Sequence, residues 1–196
     1  FPNAGNPQKV QRYPLEWAKA LREMIAKEPE LLLPAHGLPI GGKARIAMVL
    51  DHIATALETL VSQTVDMMNN GARLDEIIHS VKVPAHLMDK PYLKPVYDEP
   101  EFVVHNIWRL YGGWYDGNPA NLKPAADAVL AAEMANLAGG AKALAKRAGE
   151  LAASGELRLP RGKGRTVETV RPFLFWDEGW LTKLYPAPFQ IARKYP

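Results

Sequence analysis

The histidines are the side chains of this sequence best suited to metal or acid–base chemistry. There are five of them, His36, His52, His79, His86 and His105. No two form a His-x-His or His-x-x-x-His pair, so the chain holds no self-contained zinc motif of the usual spacing. His52 and His79 lie inside helical patterns and His86 lies beside a proline, which favours ordinary surface or partly buried positions for these three.

His36 differs from the others because it directly follows a short apolar run. The run Glu30-Leu31-Leu32-Leu33 ends at Pro34, and its length and flanks predict a buried strand. The segment 34–39, Pro-Ala-His-Gly-Leu-Pro, then places the imidazole on a loop at the tip of that strand. Layered α/β folds build their sites at such positions. By spacing alone, a lone histidine is still more often structural or exposed than a metal ligand.

Other catalytic chemistries find little support in the residue types. The chain has no cysteine, which excludes disulfides, thiolate zinc sites and cysteine nucleophiles. Its serines are Ser62, Ser80 and Ser154, and none stands in a Gly-x-Ser-x-Gly pattern. The segment Gly41-Gly42-Lys43 is too short for a phosphate-binding loop and indicates the entry to a helix instead.

An unusually aromatic block runs from Trp108 to Pro119, with the sequence Trp-Arg-Leu-Tyr-Gly-Gly-Trp-Tyr-Asp-Gly-Asn-Pro. Asp116-Gly117 and Asn118-Pro119 are turn-forming pairs, so residue type favours a tightly packed corner between a helix and a turn. The alternative is the wall of a ligand pocket in which a tyrosine hydroxyl donates a hydrogen bond to an anionic substrate.

The elements that must position these residues are mainly helical. Periodic apolar positions and their Pro and Gly boundaries predict helices over 13–28, 43–69, 73–81, 101–111, 124–137 and 141–153. Four prolines in the segment 83–100 predict an ordered surface loop.

The strongest periodic signal is a seam of apolar positions four and three residues apart in the 43–69 helix. We define the α2 seam as Ile46, Leu50, Ile53, Leu57, Leu60, Thr64 and Met67. The simpler interpretation is one face of a helix packed in a core. The alternative is a subunit interface of the coiled-coil kind.

Charge is unevenly distributed, and the C-terminal tail carries the excess. The chain has 24 Lys and Arg against 21 Asp and Glu, a net charge of +3, whereas residues 158–196 alone carry eight basic and three acidic residues. These basic residues are scattered among Pro and Gly, which argues against a nucleic-acid surface. No apolar run reaches the roughly 18 residues of a membrane span, so neither nucleic acid nor membrane is an expected partner.

Two segments resemble one family, the metallo-β-lactamase-fold alkyl sulfatases. Residues 32–40, Leu-Leu-Pro-Ala-His-Gly-Leu-Pro-Ile, are similar to the last metal-binding loop of that family. Residues 111–119, Tyr-Gly-Gly-Trp-Tyr-Asp-Gly-Asn-Pro, resemble the signature of its dimerisation domain, and Met68–Gly71 with Glu76-Ile77 also fit that domain. The resemblance extends from Phe1 to about Leu159.

The resemblance implies a sulfuric-ester hydrolase with two zinc ions that activate a bridging water. Of the family's ligands, the His-x-His-x-Asp-His motif and two acidic residues find no match, and His36 alone matches a metal position. Tyr111 matches a tyrosine near the family's sulfate pocket and is carried over as substrate-binding. No residue is assigned as catalytic, and His105 stands where many members have Arg, which puts a charge-based contact there in doubt.

The resulting expectation is a mainly α chain: the C-terminal edge of a metallo-β-lactamase αββα domain in 1–42, a helical alkyl sulfatase dimerisation domain in 43–157, and a basic, aromatic tail in 158–196. We expect a homodimer, no zinc bound by this chain alone and no complete enzyme. The alternative is a stand-alone helical interaction module. The start at Phe1 suggests a piece of a longer protein, so the compartment, cytoplasmic or periplasmic/secreted, stays open.

Overall fold

The computed structural model describes residues 1–156 of the chain, and the predicted basic tail lies outside them. Within that part the fold is mainly helical, which confirms the predicted class. In chain order the elements are α1 (Pro14–Ala26), β1 (Leu31–Leu32), β2 (Ile40–Gly41), α2 (Lys43–Asn69), α3 (Leu74–Ser80), α4 (Ala85–Met88), α5 (Pro100–Gly112), α6 (Asp127–Leu137) and α7 (Ala141–Ala153), with single 3-10 turns at Pro91–Leu93 and Pro119–Asn121.

Prolines and glycines set the helix boundaries as the sequence predicts. Pro14 and Pro100 occupy the first turns of α1 and α5, where a missing N–H costs nothing because that donor has no helical partner. Helix α2 runs from Lys43 to Asn69 as predicted, and Gly71 follows it with a φ of 81°. That left-handed conformation is open to glycine at no steric cost and reverses the chain into α3.

The core of residues 1–123 forms where α1 and α5 pack on α2. In the α2 seam, Ile46, Leu57, Leu60 and Thr64 are fully buried and Leu50 nearly so. Across from them, α1 contributes Ala18 and Leu21, and α5 contributes Val103, Val104 and Ile107, to the same apolar cluster. The interpretation of the seam as a subunit interface is therefore wrong, because the chain's own helices already cover it.

The strand predicted at 30–33 exists, but it is neither long nor buried. β1 pairs antiparallel with β2 in the register Leu31↔Gly41 and Leu32↔Ile40, and the two make a hairpin. Leu31 and Leu33 are 58% and 68% exposed. Only Leu32, on the other face, packs against the core, so the prediction of a buried strand is wrong within this chain.

The proline-rich segment 83–100 wraps the core as predicted and contains α4 and one 3-10 turn. Its buried side chains include Leu87 and Leu93, and also Asp98, which is only 2% exposed. Asp98 Oδ1 accepts a hydrogen bond from the Glu99 N–H at 3.0 Å, and Oδ2 accepts one from Gly5. Burial raises the pKa of Asp98, and the backbone N–H donors oppose that shift.

A second compact unit begins at Pro124. In its described part, α6 and α7 form a helical hairpin that turns at Gly139-Gly140, where the Gly140 N–H donates to the Ala135 carbonyl at 2.7 Å. Both helices and their glycine boundary match the prediction. The predicted domain boundaries at 42/43 and 157/158 stay predictions. No helix among residues 1–156 combines the length and the apolar character that crossing a membrane would need.

Candidate functional site

His36 lies in the loop of the β1–β2 hairpin, as the sequence predicts. The loop turns through Gly37, whose φ of 106° is a left-handed value, and the hairpin closes where the Gly42 N–H donates to the Glu30 carbonyl at 2.9 Å. The His36 side chain is exposed. The loop therefore leaves the imidazole at the surface of the hairpin.

A dinuclear zinc centre does not fit the residues present around His36. Within residues 1–156 no group of three His, Cys, Asp or Glu side chains lies close enough together to hold a metal ion. Two zinc ions need several ligands each. His36 stays a predicted metal position.

Two of the other histidines have structural partners, in line with their interpretation. His52 Nδ1 lies 2.6 Å from the Tyr92 hydroxyl, and the two rings stack with centroids 6.1 Å apart. His79 Nδ1 lies 2.7 Å from the Asp75 carbonyl oxygen one turn earlier in α3. His52 thus contacts the proline-rich segment through Tyr92, and His79 contacts the backbone of its own helix. His86 is exposed on α4.

The aromatic block is a hydrogen-bonded corner at the end of α5. The Trp108 indole N–H donates to the Tyr115 carbonyl at 2.9 Å, which folds the chain back over the helix end. One Asp116 carboxylate oxygen accepts from the Asn118 N–H at 2.9 Å and the other from the Asn121 side-chain amide. These hydrogen bonds, the Asn118 N–H first, lower the pKa of Asp116.

The corner requires a glycine at position 117. Its φ is 86°, and a Cβ built there would lie 2.8 Å from Arg73 Cγ. The corner also reaches α3, because the Leu74 N–H donates to the Asp116 carbonyl. The block therefore forms the predicted corner between a helix and a turn, held by hydrogen bonds rather than by tight packing, because Trp114 is 73% exposed.

A cavity of about 410 Å³ adjoins this corner and is lined by aromatic and basic side chains. Phe102, Trp108 and Trp114 supply the aromatic surface, and Lys9, His105 and Arg109 the basic groups. Desolvation by the surrounding protein lowers the pKa of His105, with Glu101 opposing. The Arg109 Nε–H donates to Gln11 Oε1 at 2.9 Å, which ties α5 to the N-terminal segment.

Tyr111, the residue carried over as substrate-binding, lies in the last turn of α5 with 54% of its surface exposed. Tyr111 is not among the residues that line the cavity. The aromatic residues of the block that do line it are Trp108 and Trp114. Tyr111 and His36 thus belong to different elements, and both stay predictions.

Sequence reasoning missed two features of the described chain. One is Asp98, which accepts a hydrogen bond from the Gly5 N–H. The sequence shows Asp98 only as one acidic residue in a proline-rich segment and does not indicate that it is buried. The exposed apolar face of α6 could have been found, since Leu130, Met134 and Leu137 are four and three residues apart.

The segment that contains this corner matches a known protein family. Residues 73–161 match the alkyl sulfatase dimerisation family. The chain is 32% identical over 146 residues to a linear primary-alkylsulfatase of Pseudomonas sp., covering 74% of this chain and 28% of that protein. It is 29% identical over 146 residues to an alkyl/aryl-sulfatase of Saccharomyces cerevisiae, covering 73% and 23%.

A solved structure shares the fold as well. The stereoselective inverting sec-alkylsulfatase Pisa1 of Pseudomonas sp. superposes with a TM-score of 0.70 at 27% identity, over 76% of this chain and 24% of that one. The chain thus spans about a quarter of the length of the relatives it matches.

Proposed function

We propose, from the premise that this chain carries the dimerisation domain of alkylsulfatases, that it is the C-terminal portion of a zinc-dependent sulfuric ester hydrolase and forms a homodimer. The observation that carries the proposal is that one chain contains both an exposed loop histidine and the hydrogen-bonded 108–121 corner. The corner belongs to the dimerisation domain, and the histidine is a ligand offered to a site that other residues complete.

The roles follow from exposure and chemistry. An imidazole is a good zinc ligand, and that of His36 is exposed on its loop, so a neighbouring domain can approach it. The Tyr111 hydroxyl is a hydrogen-bond donor suited to a sulfate oxygen. Zinc held at a site completed by other residues would supply the activation of water for hydrolysis. On this proposal the isolated chain binds no stoichiometric zinc.

A chimaera tests the proposal. Residues 1–156 replace the matching portion of the Pseudomonas linear primary-alkylsulfatase, and zinc per chain and sulfate release from an alkyl sulfate are measured. We expect about two zinc ions per chain, and His36→Ala to lose zinc and most of the activity. His86→Ala, at an exposed histidine on α4, is the matched control and should change neither.

The second candidate is a stand-alone helical interaction module without catalytic activity, which the absence of a complete ligand set within residues 1–156 favours. It predicts a folded chimaera whose zinc content is the same with His36 and with Ala at that position. That result would contradict the hydrolase proposal.

A further inference from the structure

Helix α6 is apolar on nearly every side and yet lies largely at the surface. Only Asp127, Glu133 and Asn136 are polar among its eleven residues. A helix with this composition is normally buried. In the described chain, however, Val129, Leu130, Met134 and Leu137 are 58%, 41%, 43% and 83% exposed.

Three of these side chains line up on one face. Leu130, Met134 and Leu137 are four and three residues apart, which places them on one side of the helix. We define them as the α6 stripe. The inward side is taken by Ala131 and Ala135, small residues that are more buried than the stripe. Helix α6 therefore turns alanines inward and leaves its larger apolar side chains outside.

From these observations we infer that the α6 stripe packs against the same stripe of a second copy of this chain. The inference rests on the proposed function, because the stripe lies inside the residues that match a dimerisation family. A self-complementary apolar stripe suits a two-fold axis, where the same patch meets itself.

The charges of the hairpin fit the same occupant. Asp127 and Glu133 give α6 a negative charge, whereas α7 carries Lys142, Lys146 and Arg147 against one acid, Glu150. Arg147 pairs with Glu150 at 3.1 Å, so Lys142 and Lys146 carry the excess. Two hairpins related by a two-fold axis can set acidic α6 edges beside basic α7 edges, which favours the pair over a chance apolar contact.

Three side chains alone are too small for a stable interface, which buries about 1,200–2,000 Å² in total. The α6 stripe is therefore the apolar centre of a larger contact. A few residues near the centre of such a contact carry most of its binding energy.

Because the chain has no cysteine, single introduced cysteines can test the placement. Met134→Cys puts a thiol in the stripe. Ala132→Cys puts one two residues away, about 200° around the helix on an exposed position. Each full-length variant is treated at low micromolar concentration with a short bismaleimide, and the covalent dimer is measured by denaturing electrophoresis. We expect the Met134→Cys variant to form it and the Ala132→Cys variant not to.

The unmodified chain and two lysine variants distinguish a wrong placement of the interface from the absence of a homodimer. Met134→Lys should weaken the dimer at least tenfold in sedimentation velocity, with helicity unchanged by circular dichroism, and Ala132→Lys should not. A dimeric chain without Met134→Cys cross-linking would overturn the α6 placement, because another surface or residues 157–196 would then cover the stripe. A monomeric unmodified chain would contradict the proposed homodimer itself.

Discussion

Helices α2 and α6 both carry apolar side chains three and four residues apart, but within residues 1–156 only the α2 set is buried. In α2 the seam residues Leu57 and Leu60 are fully buried between α1 and α5. In α6, Met134 and Leu137 are 43% and 83% exposed. Periodicity therefore shows that a helix has an apolar face, while the elements packed on that face decide whether it is core or interface.

The largest expected difference between the two helices is in stability. Leu60→Ala removes a fully buried side chain and should lower the free energy of unfolding by about 2–5 kcal/mol. Leu130→Ala, on the exposed stripe, should change the stability of the dissociated chain by less than about 0.5 kcal/mol. Urea denaturation at concentrations below the dimer dissociation constant measures both. Equal losses would mean that the α6 stripe belongs to the chain's own core.

Two glycines sharpen the comparison between the corner and the α6–α7 hairpin. Gly117→Ala forces a left-handed φ and a contact with Arg73, so it should cost about 1–3 kcal/mol. Gly149 lies within α7 with open space around it, and Gly149→Ala should stabilise the helix by about 0.5–1 kcal/mol. Thermal unfolding followed by circular dichroism gives both signs. A neutral Gly117→Ala would show that the corner yields easily.

The ion pairs between α1 and α2 are expected to contribute less than the buried side chains do. Arg22 donates to Glu58 at 2.7 Å and 3.0 Å and to the Thr55 hydroxyl at 3.0 Å, and it also pairs with Asp51. Because these groups are partly exposed, Arg22→Met should cost only about 1 kcal/mol near neutral pH.

The same contact predicts a pH dependence. The hydrogen bond from Arg22 lowers the pKa of Glu58, so its contribution is present above the unfolded-state pKa and is lost as pH falls through the folded-state value. Acid titration of stability should therefore be flatter for Arg22→Met than for the unmodified chain. Parallel curves would contradict this assignment.

Much of the fold could be predicted because local residue types set where its helices begin and end. Pro14, Gly71 and Gly139-Gly140 mark helix ends, and the α2 bounds follow from periodicity. His36 falls on its predicted loop for the same local reason. The exposure of Leu31 and the burial of Asp98 depend on which elements come to lie beside them, and one sequence does not specify such long-range packing.

The mass of the chain in solution tests most directly whether it forms the proposed homodimer. Sedimentation velocity of the unmodified chain over nanomolar to micromolar concentrations should show a species of twice the 21.7 kDa chain mass that dissociates on dilution. A species of 21.7 kDa at every micromolar concentration would contradict it.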